Sequence, residues 1–275
     1  MMDPVTSVVL AWLLFAVTHI GMASAPVRGP LSHRFGEKGF AAIFSTVAAV
    51  TFAVLCYVYS NASSAGPPGL ALGATWLRAP LIAVSVLGIV CACGALFDYP
   101  TGAYAVGKAG QQPEPRGFER ITRHGFAVGM SLVGLAHALL ATHLSGTVFF
   151  AILFVFGIVG SIHQDAKLLA RNPSVHGPYM ARTSLIPFGA ILAGRNRLVL
   201  AELRPLSIVL GLVAAWGLRQ AHPAIFAHGG IYVTAAAIGG AMVATLQVAL
   251  VSVRRARRRR KKAANLPGID AAQTH

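Results

Sequence analysis

Acidic side chains are scarce in this chain: 8 Asp and Glu stand against 23 Lys and Arg in 275 residues, and charged residues make up only 11%. So few charges cannot cover a soluble globule of this length, which excludes an ordinary water-soluble enzyme. Cysteine is nearly absent, with 3 residues at positions 56, 91 and 93, so a disulfide scaffold is excluded. Cys91 and Cys93 lie two apart and point to different faces of a helix, which argues against a shared metal site and leaves them as small packing residues. No Cys-x-x-Cys-His occurs, so any haem is held noncovalently. A hydrolase triad, a phosphate-binding loop and a metal-ligand cluster are also missing. What the chain has instead is 55% hydrophobic residues and a mean hydropathy of +0.65.

The apolar residues gather in runs long enough to cross a bilayer, near 6–27, 39–60, 79–98, 124–142, 146–169, 205–220 and 230–252. The expected fold is therefore an all-α, polytopic transmembrane helix bundle of six or seven helices, the sixth run being the shortest. Basic residues fall in alternate connections. Arg28, Arg34 and Lys38 lie in the first; Lys108, Arg116, Arg120 and Arg123 in the third; Lys167, Arg171, Arg182, Arg195, Arg197 and Arg204 in the fifth. The stretches 61–68 and 142–145 have none. The positive-inside rule then puts the N-terminus outside and the C-terminus in the cytoplasm of an inner membrane. Residues 1–253 form the transmembrane domain. Residues 254–275 are expected to form a basic, disordered cytoplasmic tail suited to anionic lipid, and no nucleic-acid partner is expected. Ala23-Ser24-Ala25 resembles a signal-peptidase site, but the residues before it carry Asp3 and no basic residue, so the first span is expected to be retained.

Two imidazoles lie within these runs, His19 and His137, and neither has an acid nearby to pair with it. An ionisable group at such depth is a functional candidate by default. With the cytoplasmic edges at Val27 and Gly125, His19 lies about 12 Å deep and His137 about 18 Å deep, a mismatch that helix tilt accommodates. One iron gripped from both sides is one reading, with Gly134, one turn below His137, admitting a flat macrocycle. The other reading has both histidines bonded to helix backbone or cavity water and Gly134 serving helix packing. His124 lies at the cytoplasmic mouth beside Arg123, as an interfacial residue or one supporting a ligand. His33, His143, His163, His176, His222 and His228 are expected to be solvent-exposed, His222 in an outer loop beside Pro223. Pro187 interrupts the short apolar stretch of the fifth connection, which reads as an interfacial or re-entrant segment. Arg123, Arg182 and Arg195 sit at that level, placed for haem propionates or for lipid phosphates.

Several stretches together resemble the NnrU family of bacterial membrane proteins and its plant and cyanobacterial relatives, the 15-cis-zeta-carotene isomerases. They are Thr18-His19-Ile20-Gly21-Met22-Ala23-Ser24, Phe35-Gly36-Glu37-Lys38-Gly39-Phe40, Ile121-Thr122-Arg123-His124, Leu135-Ala136-His137, Leu168-Leu169-Ala170-Arg171 and Arg182-Thr183-Ser184-Leu185-Ile186-Pro187-Phe188, with Ala221-His222-Pro223 echoing a last element. The resemblance covers about residues 12–223. It implies haem b between helices, with axial histidines at the positions of His19 and His137. It also shows two departures. The family commonly has proline where this chain has Gly125, and the isomerase has a redox-linked cysteine where this chain has Gly134.

Three functions follow as expectations. The first is a haem-binding membrane protein with a redox or nitric-oxide and denitrification role. The second is a haem-dependent cis-trans isomerase acting on a hydrophobic polyene. The third is a haem-free transport or assembly protein, weakened by the lack of a midplane charge pair or inverted repeat. The topology is directly testable. Alkaline phosphatase fused after Ala65 is expected to be active outside the cell, and the same enzyme after Gly110 inactive; the reverse pattern would invert the bundle.

Overall fold

The computed structural model describes residues 3–98 and 114–227, and these are helical with short connections. The helices are α1 (Pro4–Ala23), α2 (Ala25–Ala62), α3 (Arg78–Asp98), α4 (Gly125–Leu140), α5 (Leu144–Arg171), α6 (Pro173–Arg182), α7 (Gly189–Leu192) and α8 (Pro205–Ala227). Four of them, α1, α2, α3 and α5, are long and apolar enough to cross a membrane, and α4 is a shorter apolar helix of 16 residues. The expected span 230–252 and the tail 254–275 lie outside the described residues, as does His228.

The first expected span ends earlier than its apolar run. Pro26 has no N–H to return to the carbonyl of Met22, so α1 stops at Ala23. Ser24 turns extended (φ −70°, ψ 151°), and its hydroxyl bonds the Gly21 carbonyl at 2.6 Å. The chain restarts as α2 with Pro26 in its first turn, where the missing donor is harmless. At Gly36 the backbone turns left-handed (φ 71°, ψ 166°), which divides the amphiphilic residues 25–35 from the apolar length of α2. Lys167 of α5 donates to the exposed carbonyl of Ala23 at 3.0 Å, a cation at a helix C-terminus.

The helices form one bundle in which α3 packs on α4 and α8, α5 packs on α4 and α1, and α1 packs on α2. At one end lie the basic connections. At the other, Ser145 donates to the carbonyls of Ala62 (2.7 Å) and Ala65 (3.0 Å), and the 67–71 segment bonds to 141–144. One core joins α1, α2 and α5 through Val8, Trp12, Phe15, Leu55 and Phe149, with Trp12 and Phe149 ring centroids 5.5 Å apart. Lipid is as apolar as these side chains, so their association rests on close packing. Small residues supply it elsewhere. A Cβ on Gly129 would collide with the carbonyl of Gly88, and one on Gly134 would meet Phe150 O and Phe154 N at 2.8 Å. Cys56 and Cys91 are buried free thiols, as their place in spans implied.

At the basic end, Arg120 and Glu202 form a bidentate pair, Nε to Oε2 at 2.7 Å and Nη2 to Oε1 at 2.9 Å, and Glu202 also accepts the Gly117 N–H at 3.0 Å. The Arg120 hydrogen bond draws the Glu202 carboxyl down from 4.5 to about 2. This couples the α3–α4 connection to the segment leading into α8.

Two outcomes are expected. Gly129→Leu lowers resistance to unfolding in detergent by at least about 1–3 kcal/mol through overpacking, whereas Gly160→Ala, where a Cβ meets nothing within 4 Å, costs nothing. Glu202→Gln destabilises by about 1–3 kcal/mol. In the parent chain the same contribution is present above about pH 4.5 and is lost as pH falls towards 2, since a depressed carboxyl stabilises only while ionised. A pH-independent difference between parent and Glu202→Gln would refute the ion-pair account.

Candidate functional site

The described histidines fall into two groups, and the grouping differs from the one the sequence implies. The basic end holds His124, His163 and His176. Residues 121–124 are not the start of α4 but a tether to the segment 184–188. Arg123 N bonds Ser184 O at 3.0 Å, Phe188 N bonds Ile121 O at 2.8 Å, and Thr122 Oγ1 bonds Leu185 O at 2.8 Å. His124 is the residue capping α4, at φ −118° and ψ 52°. Its Nε2 donates to Asp165 Oδ1 at 2.6 Å, while Arg123 holds the other oxygen of the same carboxylate at 2.7 Å. His124 is thus buried at an ion pair rather than open at the membrane surface. Asp165 escaped the sequence reading although the signal was there: with only 8 acids in the chain, one inside an apolar helix needs a partner.

His176 and His163 also depart from the expected exposure. His176 is 5% exposed, with Nδ1 buried and unbonded, and His163 has a buried, unbonded Nε2. Burial pushes the His176 imidazole below its usual value, and the Asp165 charge opposes that in part. Of the remaining basic-end residues, Arg182 pairs with Glu114 at 2.8 Å, and Arg195 donates to the carbonyls of Ala181 (2.7 Å) and Thr183 (3.3 Å). Arg123, Arg182 and Arg195 are all engaged by protein groups.

His19 and His137 lie apart. Because α1 ends at Ala23, His19 is one turn from the basic end of its helix, while His137 is three residues from Leu140 at the opposite end of α4. His19 packs among Phe15 (5.2 Å), Phe44 (4.9 Å) and Phe156 (5.7 Å), and its Nδ1 is buried without a partner. His137 lies against Phe150 at 4.8 Å. Their two α5 neighbours, Phe156 and Phe150, are six residues apart, about 9 Å along the helix and about 240° around it. The compatible depths inferred from the apolar runs do not survive the break at Ser24.

His137 is held by a hydrogen bond within its own helix. Its Nδ1 donates to Val133 O, one turn back, at 2.9 Å. A carbonyl oxygen has no proton, so Nδ1 carries the hydrogen and Nε2 the lone pair. Ligating histidines are commonly held in this way, the second nitrogen fixing ring and tautomer. Gly134 does not open this face to a flat group, because the α5 backbone fills the place of its Cβ. The residue that does reach His137 is His222, its ring centroid 6.1 Å away and its plane inclined by 24°. It lies within α8, not in a loop: Pro223 is accommodated inside the helix, and His222 Nδ1 donates to Leu218 O at 2.6 Å. The sequence signal for His222 was the Ala221-His222-Pro223 echo, obscured by reading proline as a terminator. Among the described residues no group of three or more His, Cys, Asp and Glu could hold a metal ion.

Comparisons with known proteins agree with this helical, membrane-type architecture. The chain is 28% identical over 192 residues to the chloroplastic 15-cis-zeta-carotene isomerase of Zea mays, a match covering 69% of this chain and 51% of that protein. The chain therefore spans about half the length of that relative. No solved structure matches it. The profile described as NnrU protein matches residues 7–229, most of the chain, and this membrane protein belongs to the NnrU family.

Proposed function

We propose that this NnrU-family membrane protein binds haem b noncovalently, that Nε2 of His137 would help hold its iron, and that the protein serves redox or nitric-oxide chemistry related to denitrification. The observation that carries the reading is the His137 Nδ1 to Val133 O bond, which presents a lone-pair nitrogen from an apolar helix. A macrocycle brings four nitrogens of its own, so one or two imidazoles complete the iron where no three-residue cluster exists. When bound, haem supplies an iron that changes oxidation state and exchanges a ligand. The chain contributes orientation through Val133, packing through Phe150 and exclusion of water by the apolar α4–α5 wall. Arg123, Arg182 and Arg195 lie at the far end of α4 and are already engaged. They have no propionate role and instead fasten the connections of the basic end.

The maize relative favours a second reading, a haem-dependent isomerase of a 15-cis polyene. Here Gly134 offers no thiol beside the ligand, so a cysteine-linked change of ligation at that position is unavailable.

Protein purified in detergent and supplemented with haem is expected to show a Soret band, and His137→Ala to lower haem retention about tenfold or more. Nitric oxide added to the reduced protein is expected to shift that band. Conversion of a 15-cis polyene by reduced protein, read by chromatography of the isomers, would decide for the second reading. A wild type with no Soret band after supplementation would defeat both.

A further inference from the structure

We infer that a cavity at the basic end binds the phosphate of an anionic phospholipid, held by Arg195 and Arg197 with help from Arg182. The site is separate from the haem reading and stands whether or not haem binds. The cavity has a volume of about 350 Å³ and is lined in part by Glu114, Arg120, Arg182, Arg195, Asn196 and Arg197. Four guanidinium groups therefore share it with one carboxylate. Arg120 is balanced by Glu202 and Arg182 by Glu114. Among the described residues this leaves Arg195 and Arg197 as two positive charges without a carboxylate partner, a deficit that an anionic headgroup fills.

The turn that presents them is held by side chains as well as backbone. Gly194 turns left-handed (φ 69°), and the N–H groups of Arg195 and Asn196 both bond Ala190 O, at 2.9 and 3.1 Å. Asn196 then ties three segments together. Its Oδ1 accepts from Arg120 Nη1 and from Arg197 N, each at 2.8 Å, and its Nδ2 donates to Arg182 O at 3.0 Å. Arg195 uses only Nη1, on the carbonyls of Ala181 and Thr183, and Arg182 uses Nε and Nη1, on Pro178 O and Glu114. Donors on Nε and Nη2 of Arg195 and on Nη2 of Arg182 therefore remain, since a guanidinium has N–H groups on all three nitrogens. The Arg197 guanidinium bonds no described residue. Planar forks of this kind match the oxygens of a phosphate.

The flanks of the turn point to a lipid as the source of that phosphate. Leu192 and Leu200, on either side of it in the chain, are 85% and 71% exposed, and Leu198 is exposed as well. Apolar side chains left bare next to cationic ones suit the boundary where acyl chains meet headgroups. A soluble phosphate would satisfy the arginines and leave the leucines in water.

Native mass spectrometry of the full chain in detergent tests the site, with phosphatidylglycerol, phosphatidylcholine or inorganic phosphate as the probe. Phosphatidylglycerol is expected to be retained in preference to phosphatidylcholine, and Arg197→Ala to weaken its binding about fivefold. The same variant is expected to keep the unfolding temperature of the lipid-free protein, because the Arg197 side chain fastens no described segment. Arg171→Ala removes an exposed charge at the same end but outside the cavity, and is expected to leave the binding unchanged. The basic stretch 254–262 is common to parent and variants, so their difference reads the cavity. Equal losses in Arg197→Ala and Arg171→Ala, or equal retention of the two lipids, overturn the site in favour of attraction by net charge. Displacement of phosphatidylglycerol by inorganic phosphate in the parent but not in Arg197→Ala overturns the lipid and assigns the cavity to a soluble phosphate.

Discussion

The contact on which the bundle depends is the approach of α4 to α3 at Gly129 and Gly88. Between helices surrounded by lipid there is no transfer free energy to gain, so association comes from how closely backbones can lie. Glycine on both helices removes the only atoms that would hold them apart there. With α4 seated against α3, its other side receives α5 at Gly134, where the backbone of residues 150–154 fills the space a side chain would take. The angular position of His137 on α4 follows from these two contacts. Its ring is directed to Phe150 on one side and His222 on the other.

The ion pairs in the described residues are collected at the basic end of the bundle, and there they serve attachment. Arg120–Glu202, Arg123–Asp165–His124 and Arg182–Glu114 each join segments that are distant in sequence. Three of the chain's few acids thus fasten arginines that a positive-inside count treats as free charges. Backbone does the same where residues 121–124 are stitched to 184–188. The basic end is therefore a built surface, and its arginines hold the connections together before they meet any lipid phosphate or ligand.

Away from that end, the apolar length of α4 and α8 carries two imidazoles that satisfy one nitrogen each within their own helix. That arrangement meets the membrane's demand that donors be paired. His19 shows the contrast. It has a buried Nδ1 with no partner and a shell of three phenylalanines, the surroundings of a packed ring rather than of one oriented by a hydrogen bond.

The all-helical fold and the apolar runs that became α1, α2, α3 and α5 were legible from residue types alone, because lipid allows few solutions to an uninterrupted apolar run. His137 was legible for the same reason, as an imidazole with no acid in reach. Pro26, one residue into the restart, held the end of α1 in plain view, yet the apolar run through Val27 concealed it. What the linear order could not supply was which helices touch. That Asp165 meets Arg123 and His124 across some forty residues, that His176 is enclosed, and that His222 comes to His137 while His19 does not, all depend on the faces that small residues select. A period of 3.6 places a side chain on a helix face, but only the packing of α4 and α8 on α3 decides what that face meets.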